Sequence, residues 1–135
     1  MTQPPLSLYI HVPWCIRKCP YCDFNSHAAP SGLPEQDYIE ALLADLRPDQ
    51  HWIQGRTIQS IFIGGGTPSL FSAAAFQQLF DGLQQQLRLA SDCEITLEAN
   101  PGTFEAEKFA AYRQLGINRL SMGLQSFQPQ HVKTL

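Results

Sequence analysis

The feature that most narrows the fold is a repeated exchange of two periodicities. Short runs that read as strands alternate with stretches carrying one apolar helical face. Leu6 to Val12 reads as a first strand stopped by Pro13. From Glu35, apolar residues recur at Tyr38, Ile39, Leu42, Leu43 and Leu46, the spacing of one helix face, with Pro48 where a stop is expected. Ile58 to Ile63 reads as a buried strand ending in Gly64-Gly65-Gly66-Thr67-Pro68-Ser69. Ser72 is placed to cap a helix whose stripe is Phe76, Leu79, Phe80, Leu83 and Leu87. A third strand, Glu94 to Ala99, meets the turn Asn100-Pro101-Gly102. Thr103 then opens a helix with Phe109, Tyr112 and Leu115 inward and Gly116 as its stop. Arg119 to Gly123 makes a fourth strand, and Pro129 sits at a first helical position.

Strands alternating with helices imply βαβ units and a parallel sheet, so the fold class is α/β. A closed (β/α) barrel needs about 250 residues for eight units. The 135 residues are therefore expected to be the N-terminal portion of such a domain, a partial barrel with four strand–helix units visible and a loop at 13–27. Without a further strand, the fourth would be an open edge. Apolar residues make up 44% and charged residues 16%, a globular composition that argues against disorder. The net charge of −3 gives nucleic acid no electrostatic footing. No apolar run reaches the length of a transmembrane helix. Met1-Thr2-Gln3-Pro4-Pro5 has neither the basic nor the apolar region of a secretory signal. The tract Gln84-Gln85-Gln86 reads as a solvated helix face.

The chemistry is concentrated in the cysteines. Cys15, Cys19 and Cys22 form a C-x3-C-x2-C motif directly after the first strand, while Cys93 stands alone. Clustered thiols without a signal peptide point to a metal site in a reducing compartment, hence the cytoplasm. Three thiolates about 6 Å apart would repel by roughly 3 kcal/mol per pair at an effective dielectric of 20, so they require a cation. An iron–sulfur cluster supplies it, and three ligands on four irons leave one iron open. Arg17 and Lys18 make the loop basic, which favours thiolates. A Cys3His zinc site with His27 or His11 as fourth ligand is the other reading of this motif, and would make the chain a zinc-binding interaction module. Cys93 reads as a small buried structural residue.

Several segments together resemble a known family. Tyr9-Ile10-His11-Val12-Pro13-Trp14-Cys15, the cysteine loop with Tyr21 before its last cysteine, and Gly64-Gly65-Gly66-Thr67-Pro68-Ser69 resemble the radical S-adenosylmethionine (SAM) superfamily. Glu98-Ala99-Asn100-Pro101-Gly102 and Arg119 to Phe127 match the same branch, which holds the oxygen-independent coproporphyrinogen III oxidases and the HemW heme chaperones. The resemblance implies a [4Fe-4S] cluster on Cys15, Cys19 and Cys22, with SAM bound to the open iron. It implies contacts from Gly65, Gly66 and Thr67 to the methionine amino group, and from Glu98 to the ribose hydroxyls. Gln125 matches an amide contact to SAM, Tyr9 an aromatic residue near cluster and SAM, and Tyr21 a position whose backbone faces the adenine. The residue pattern alone also allows a core Tyr9, a solvated Glu98 and a generous βα turn at the glycines. His11 reads as a strand histidine with a structural hydrogen bond. No catalytic residue is assigned.

In the superfamily the reduced cluster passes one electron to the SAM sulfonium and releases a 5′-deoxyadenosyl radical. Within the branch, the oxidases carry a further cysteine two positions after the third ligand, where this chain has Phe24. The resemblance therefore leans to a heme chaperone without porphyrinogen decarboxylation. Heme would be its cargo, hemoproteins (membrane respiratory enzymes among them) its acceptors, and a protein such as a flavodoxin its electron donor. A porphyrinogen-decarboxylating oxidase is the alternative.

Overall fold

Alternation in Leu6–Val12 sends Ile10 and Val12 to one side of a strand and Tyr9 and His11 to the other. The remaining elements follow that division. The structure, a computed structural model, describes residues 3–15, 27–28, 33–99, 106–123 and 128; for Cys15, His27 and Ala28 it describes the backbone alone. The elements are β1 (Leu6–Val12), β2 (Trp14–Cys15), β3 (His27–Ala28), α1 (Glu35–Leu46), α2 (Gln50–Ile53), β4 (Thr57–Gly65), α3 (Ala73–Gln86), β5 (Arg88–Ala99), α4 (Ala106–Leu115) and β6 (Arg119–Met122). Among the described residues the main sheet has the order β1-β4-β5-β6, with every neighbouring pair parallel. α1, α3 and α4 each link one strand of that sheet to the next, as the alternating pattern requires. The expected α/β class and its four strands are present.

One face of the sheet is apolar and carries the helices. Ile10, Val12, Ile61, Ile63, Ile95, Leu97 and Ala99 form a core with Ile39 and Leu46 of α1, Phe76, Leu79, Phe80 and Leu83 of α3, and Phe109 and Tyr112 of α4. Each large side chain buried there contributes about 1.5–3 kcal/mol. The expected cap is in place, since Ser72 Oγ accepts the Ala75 N–H at 3.1 Å. Gly116 ends α4 with φ of 112°, a conformation other residues rarely adopt. No helix among the described residues is long and apolar enough to cross a membrane.

Three details differ from the sequence expectation. α1 ends at Leu46, just before Pro48 as expected, but no loop follows: Pro48 falls in a 3-10 turn, Arg47–Asp49, where a missing N–H is tolerated, and the path runs on into the unexpected α2. The third strand begins at Arg88 instead of Glu94. Its pairing jumps from Ile58↔Leu89 to Ser60↔Glu94, so polar residues between them bulge out of the ladder and hide the strand from a period-2 reading. Gln86 is more than solvated, because its Nε2 donates to the Leu43 carbonyl at 3.0 Å and ties α3 to α1. The helical face also holds one polar staple. Tyr112, 1% exposed, donates its hydroxyl to the carbonyls of Ser69 (3.1 Å) and Phe71, which fixes the segment after the glycine turn. Tyr112→Phe should remove this hydroxyl donor and lower stability by about 1–3 kcal/mol, read from the urea unfolding midpoint.

Candidate cofactor site

The opposite face of the sheet is polar and arranged in rows by the strand register. Ser7 opposes Ser60, Tyr9 opposes Phe62, and His11 opposes Gly64; Phe62 in turn opposes Thr96, and Thr96 opposes Arg119. Ser7 and Ser60 share a hydrogen bond of 2.7 Å between their hydroxyls. The Tyr9 ring, 57% exposed, lies over Phe62 with centroids 6.1 Å apart. Its hydroxyl is 3.0 Å from His11 Nδ1. Loss of hydration and then the Glu98 carboxylate push the Tyr9 phenol above its ordinary value, so it keeps its proton at neutral pH and can donate. The structural hydrogen bond expected for His11 is therefore present.

The glycine turn at the end of β4 sits at the top of this face, beside Glu98. Gly65 has φ of 116°, and a Cβ there would lie 2.6 Å from the Val12 carbonyl and 2.8 Å from the His11 ring. A Cβ on Gly64 would lie 2.8 Å from the Phe62 ring and 3.1 Å from Glu98 Oε2. The triplet was expected to admit a ligand. At these two positions the chain's own groups already require glycine.

Hydrogen bonding decides what the turn offers. The Gly65 N–H donates to Glu98 Oε2 at 3.1 Å. The Gly66 N–H donates to the Val12 carbonyl and the Thr67 N–H to the Trp14 carbonyl, each at 2.6 Å. A phosphate-binding loop keeps such donors free for its ligand. Here all three donate within the protein, so none of these amide hydrogens is left to hold an anion. Glu98 is half-buried, and the internal partner at Oε2 answers the cost expected of an unpaired carboxylate. One oxygen is engaged, and the remaining acceptor capacity can take hydroxyl donors.

Tyr9, Gly65 and Glu98 are thus brought together. Thr67 follows the same turn, but it is only 6% exposed. β2 brings the backbone of Cys15 directly after Trp14, whose carbonyl accepts the Thr67 N–H of the turn. Cys19, Cys22, Tyr21 and Gln125 lie outside the described residues, as does the side chain of His27. Among the described residues no three His, Cys, Asp or Glu side chains gather to hold a metal. Sequence reasoning missed the aromatic surroundings of Trp14, which meets Tyr38 and Phe71. No periodic signal marks such a contact.

Comparison with known proteins supplies the family. The profile of the Radical SAM superfamily matches residues 9–135. The chain belongs to the radical SAM superfamily. It is 58% identical over 132 residues to the heme chaperone HemW of Escherichia coli, covering 98% of this chain and 35% of that protein. The HemW of Haemophilus influenzae is 57% identical, with 98% and 36% covered. Among solved structures, the E. coli coproporphyrinogen III oxidase HemN, described as a radical SAM enzyme, superposes with a TM-score of 0.85 at 31% identity, over 96% of this chain and 30% of that one. The chain spans about a third of the length of the relatives it matches.

The donor set fits the superfamily's cofactors. In sequence three thiols within eight residues follow β1, and in the structure Trp14, which precedes the first of them, is hydrogen-bonded to the turn that ends beside the half-buried Glu98. Cys93 stands apart: it is buried, and loss of hydration followed by Asp92 and Glu94 pushes its thiol up. At pH 8 a raised thiol holds less thiolate than the unfolded chain does. Iodoacetamide should therefore modify Cys93 several-fold more slowly in native protein than in urea, followed by peptide mass spectrometry.

Proposed function

We propose that this chain is the cluster- and SAM-binding portion of a radical-SAM-type heme chaperone. The observation that carries this is the 58% identity to HemW, against 31% to the coproporphyrinogen oxidase, over nearly the same residues. Phe24, at the position where the oxidases carry a further cysteine, supports the same choice. Heme is then the cargo, hemoproteins are the acceptors, and a flavodoxin-like protein is the electron donor. The protein acts in the cytoplasm, where a reducing medium keeps Cys15, Cys19 and Cys22 as thiols before the cluster is assembled.

In this reading the bound cluster and SAM together supply a one-electron reduction of a sulfonium. The chain's own residues bind and orient. Cys15, Cys19 and Cys22 hold three irons. The carbonyls of Gly65 and Gly66 accept from the methionine ammonium, and Thr67, buried and tied by its N–H to Trp14, completes the turn. Glu98 keeps the Gly65 N–H on Oε2 and accepts ribose hydroxyls with its remaining lone pairs. Tyr9, protonated and exposed, covers the open side of the site, while Tyr21 and Gln125 complete the adenine and amide contacts.

Two measurements test this on the complete protein. Anaerobic reconstitution should give about four irons per chain, lost on replacing Cys15, Cys19 or Cys22 by Ala and kept in Cys93→Ala. Glu98→Ala should weaken SAM binding by about tenfold or more with iron unchanged. Glu98→Gln should weaken it less, since an amide oxygen can still take the Gly65 N–H. Gly65 variants are a poorer probe, because a side chain there collides with Val12 and His11 whether or not SAM binds. Stoichiometric zinc without iron would reject the cluster.

The chaperone assignment has its own test. The reconstituted protein should bind heme and pass it to an apo-hemoprotein, and should form no protoporphyrinogen from coproporphyrinogen III with SAM and reductant present. Substrate-dependent release of carbon dioxide with matched SAM cleavage would reverse that assignment and leave the cluster and SAM sites standing.

A further inference from the structure

One group of side chains has no task in that reading. Trp14 of β2, Tyr38 of α1 and Phe71 after the turn Pro68–Leu70 meet next to the backbone of Cys15. Trp14 stands edge-on to Tyr38, with centroids 4.8 Å apart and planes at 78°. It stacks on the buried Phe71 at 5.9 Å and 26°, and Tyr38 meets Phe71 edge-on at 6.1 Å. Each ring therefore touches the other two, in geometries that aromatic pairs favour.

Polar ties converge on the same point. The Tyr38 hydroxyl donates to the His11 carbonyl, and the Thr67 N–H donates to the Trp14 carbonyl at 2.6 Å. Trp14 is thus held through its side chain by α1 and the segment after the glycine turn. Its backbone is held by the glycine turn itself. The residue next in sequence is the first cysteine of the loop.

We propose that Trp14 and Tyr38 are positioning residues that lock the start of the cysteine loop to the glycine turn, and so hold the cluster and SAM subsites in fixed register. The proposal rests on the cofactor reading above. Its physical reason is that one ligand must satisfy both segments, touching an iron held by the loop and the acceptors of the turn. Slack between the two segments lowers the affinity of a ligand that spans them, and misplacement on the order of 1 Å is enough to matter. A rigid three-ring contact removes that slack without touching the ligand.

The test uses the complete protein, reconstituted anaerobically, with iron content, SAM affinity per cluster, the SAM-induced change in the reduced cluster's EPR spectrum and the thermal midpoint measured together. Trp14→Ala should keep its iron, bind SAM about three- to tenfold more weakly and show a diminished EPR change at equal SAM concentration. Trp14→Phe, which retains a ring to stack on Phe71, should restore both. A purely structural role would lower the thermal midpoint and leave SAM affinity per cluster unchanged, which overturns the proposal. If Trp14→Ala loses its iron, Tyr38→Phe decides, because it keeps the ring and drops only the tie to His11. Weaker SAM binding there supports the lock, and unchanged binding refutes it. Wild-type protein that takes up no iron overturns the cofactor reading and the proposal with it. Normal wild-type binding with unaffected variants overturns the proposal alone.

Discussion

Everything at the top of the sheet depends on how closely the end of β4 approaches the end of β1. The Val12 carbonyl lies 2.6 Å from where a Gly65 Cβ would stand, and the same carbonyl accepts the Gly66 N–H at 2.6 Å. Steric exclusion and hydrogen bonding act on one oxygen. The close approach is possible only with glycine, and it is worthwhile only because the amide then finds its partner. From this contact follow the direction of β2, the placement of Cys15 and the inward turn of every donor in the segment from Gly65 to Thr67. A βα turn built for phosphate would have the opposite polarity.

The two faces of the sheet divide stability from chemistry. Ile61, Ile63 and Leu97 are buried under α1, α3 and α4, where hydrophobic burial is largest. Phe62, Gly64 and Glu98 belong to the other face, one residue out of phase on the same strands. A polar substitution on the first face would bury a group with no partner, whereas the second face tolerates Tyr9, His11 and Glu98 because their polar atoms find each other or the turn. Period-2 alternation is therefore the device that lets one strand serve both demands.

The same device explains how much of the molecule could be read from its sequence. Leu6–Val12, the α1 stripe and the Ser72 cap were legible because each is a local pattern with one physical meaning. Residues 88–93 were not, since Arg88, Ser91 and Asp92 enter a strand through backbone pairing and a bulge, with no alternation to betray them. The path through Pro48 into α2 was hidden for a similar reason, proline being a stop in a helix interior and permitted in a first turn. At the site, Glu98 could be placed on the polar face by counting, yet its partner could not, because the Gly65 amide is 33 positions away. The clustering of Trp14, Tyr38 and Phe71 needs three separate segments in space, and no one-dimensional signal encodes that.

The glycine triplet carries the sharper lesson, because the crowding at two of its positions comes from the chain itself. Three glycines after a strand signal a crowded backbone, and a ligand is the usual suspect. Here the crowd at Gly64 and Gly65 is internal: Phe62, Glu98, His11 and the Val12 carbonyl. In the proposed reading that crowding bears on ligand binding by a different route. The amide hydrogens of Gly65, Gly66 and Thr67 are drawn toward Glu98, Val12 and Trp14 and are spent within the protein. In the proposed reading, the protein's own hydrogen bonds thereby disfavour an anionic group at the turn. In that reading the glycines would act on a ligand through the hydrogen bonds they permit in the backbone.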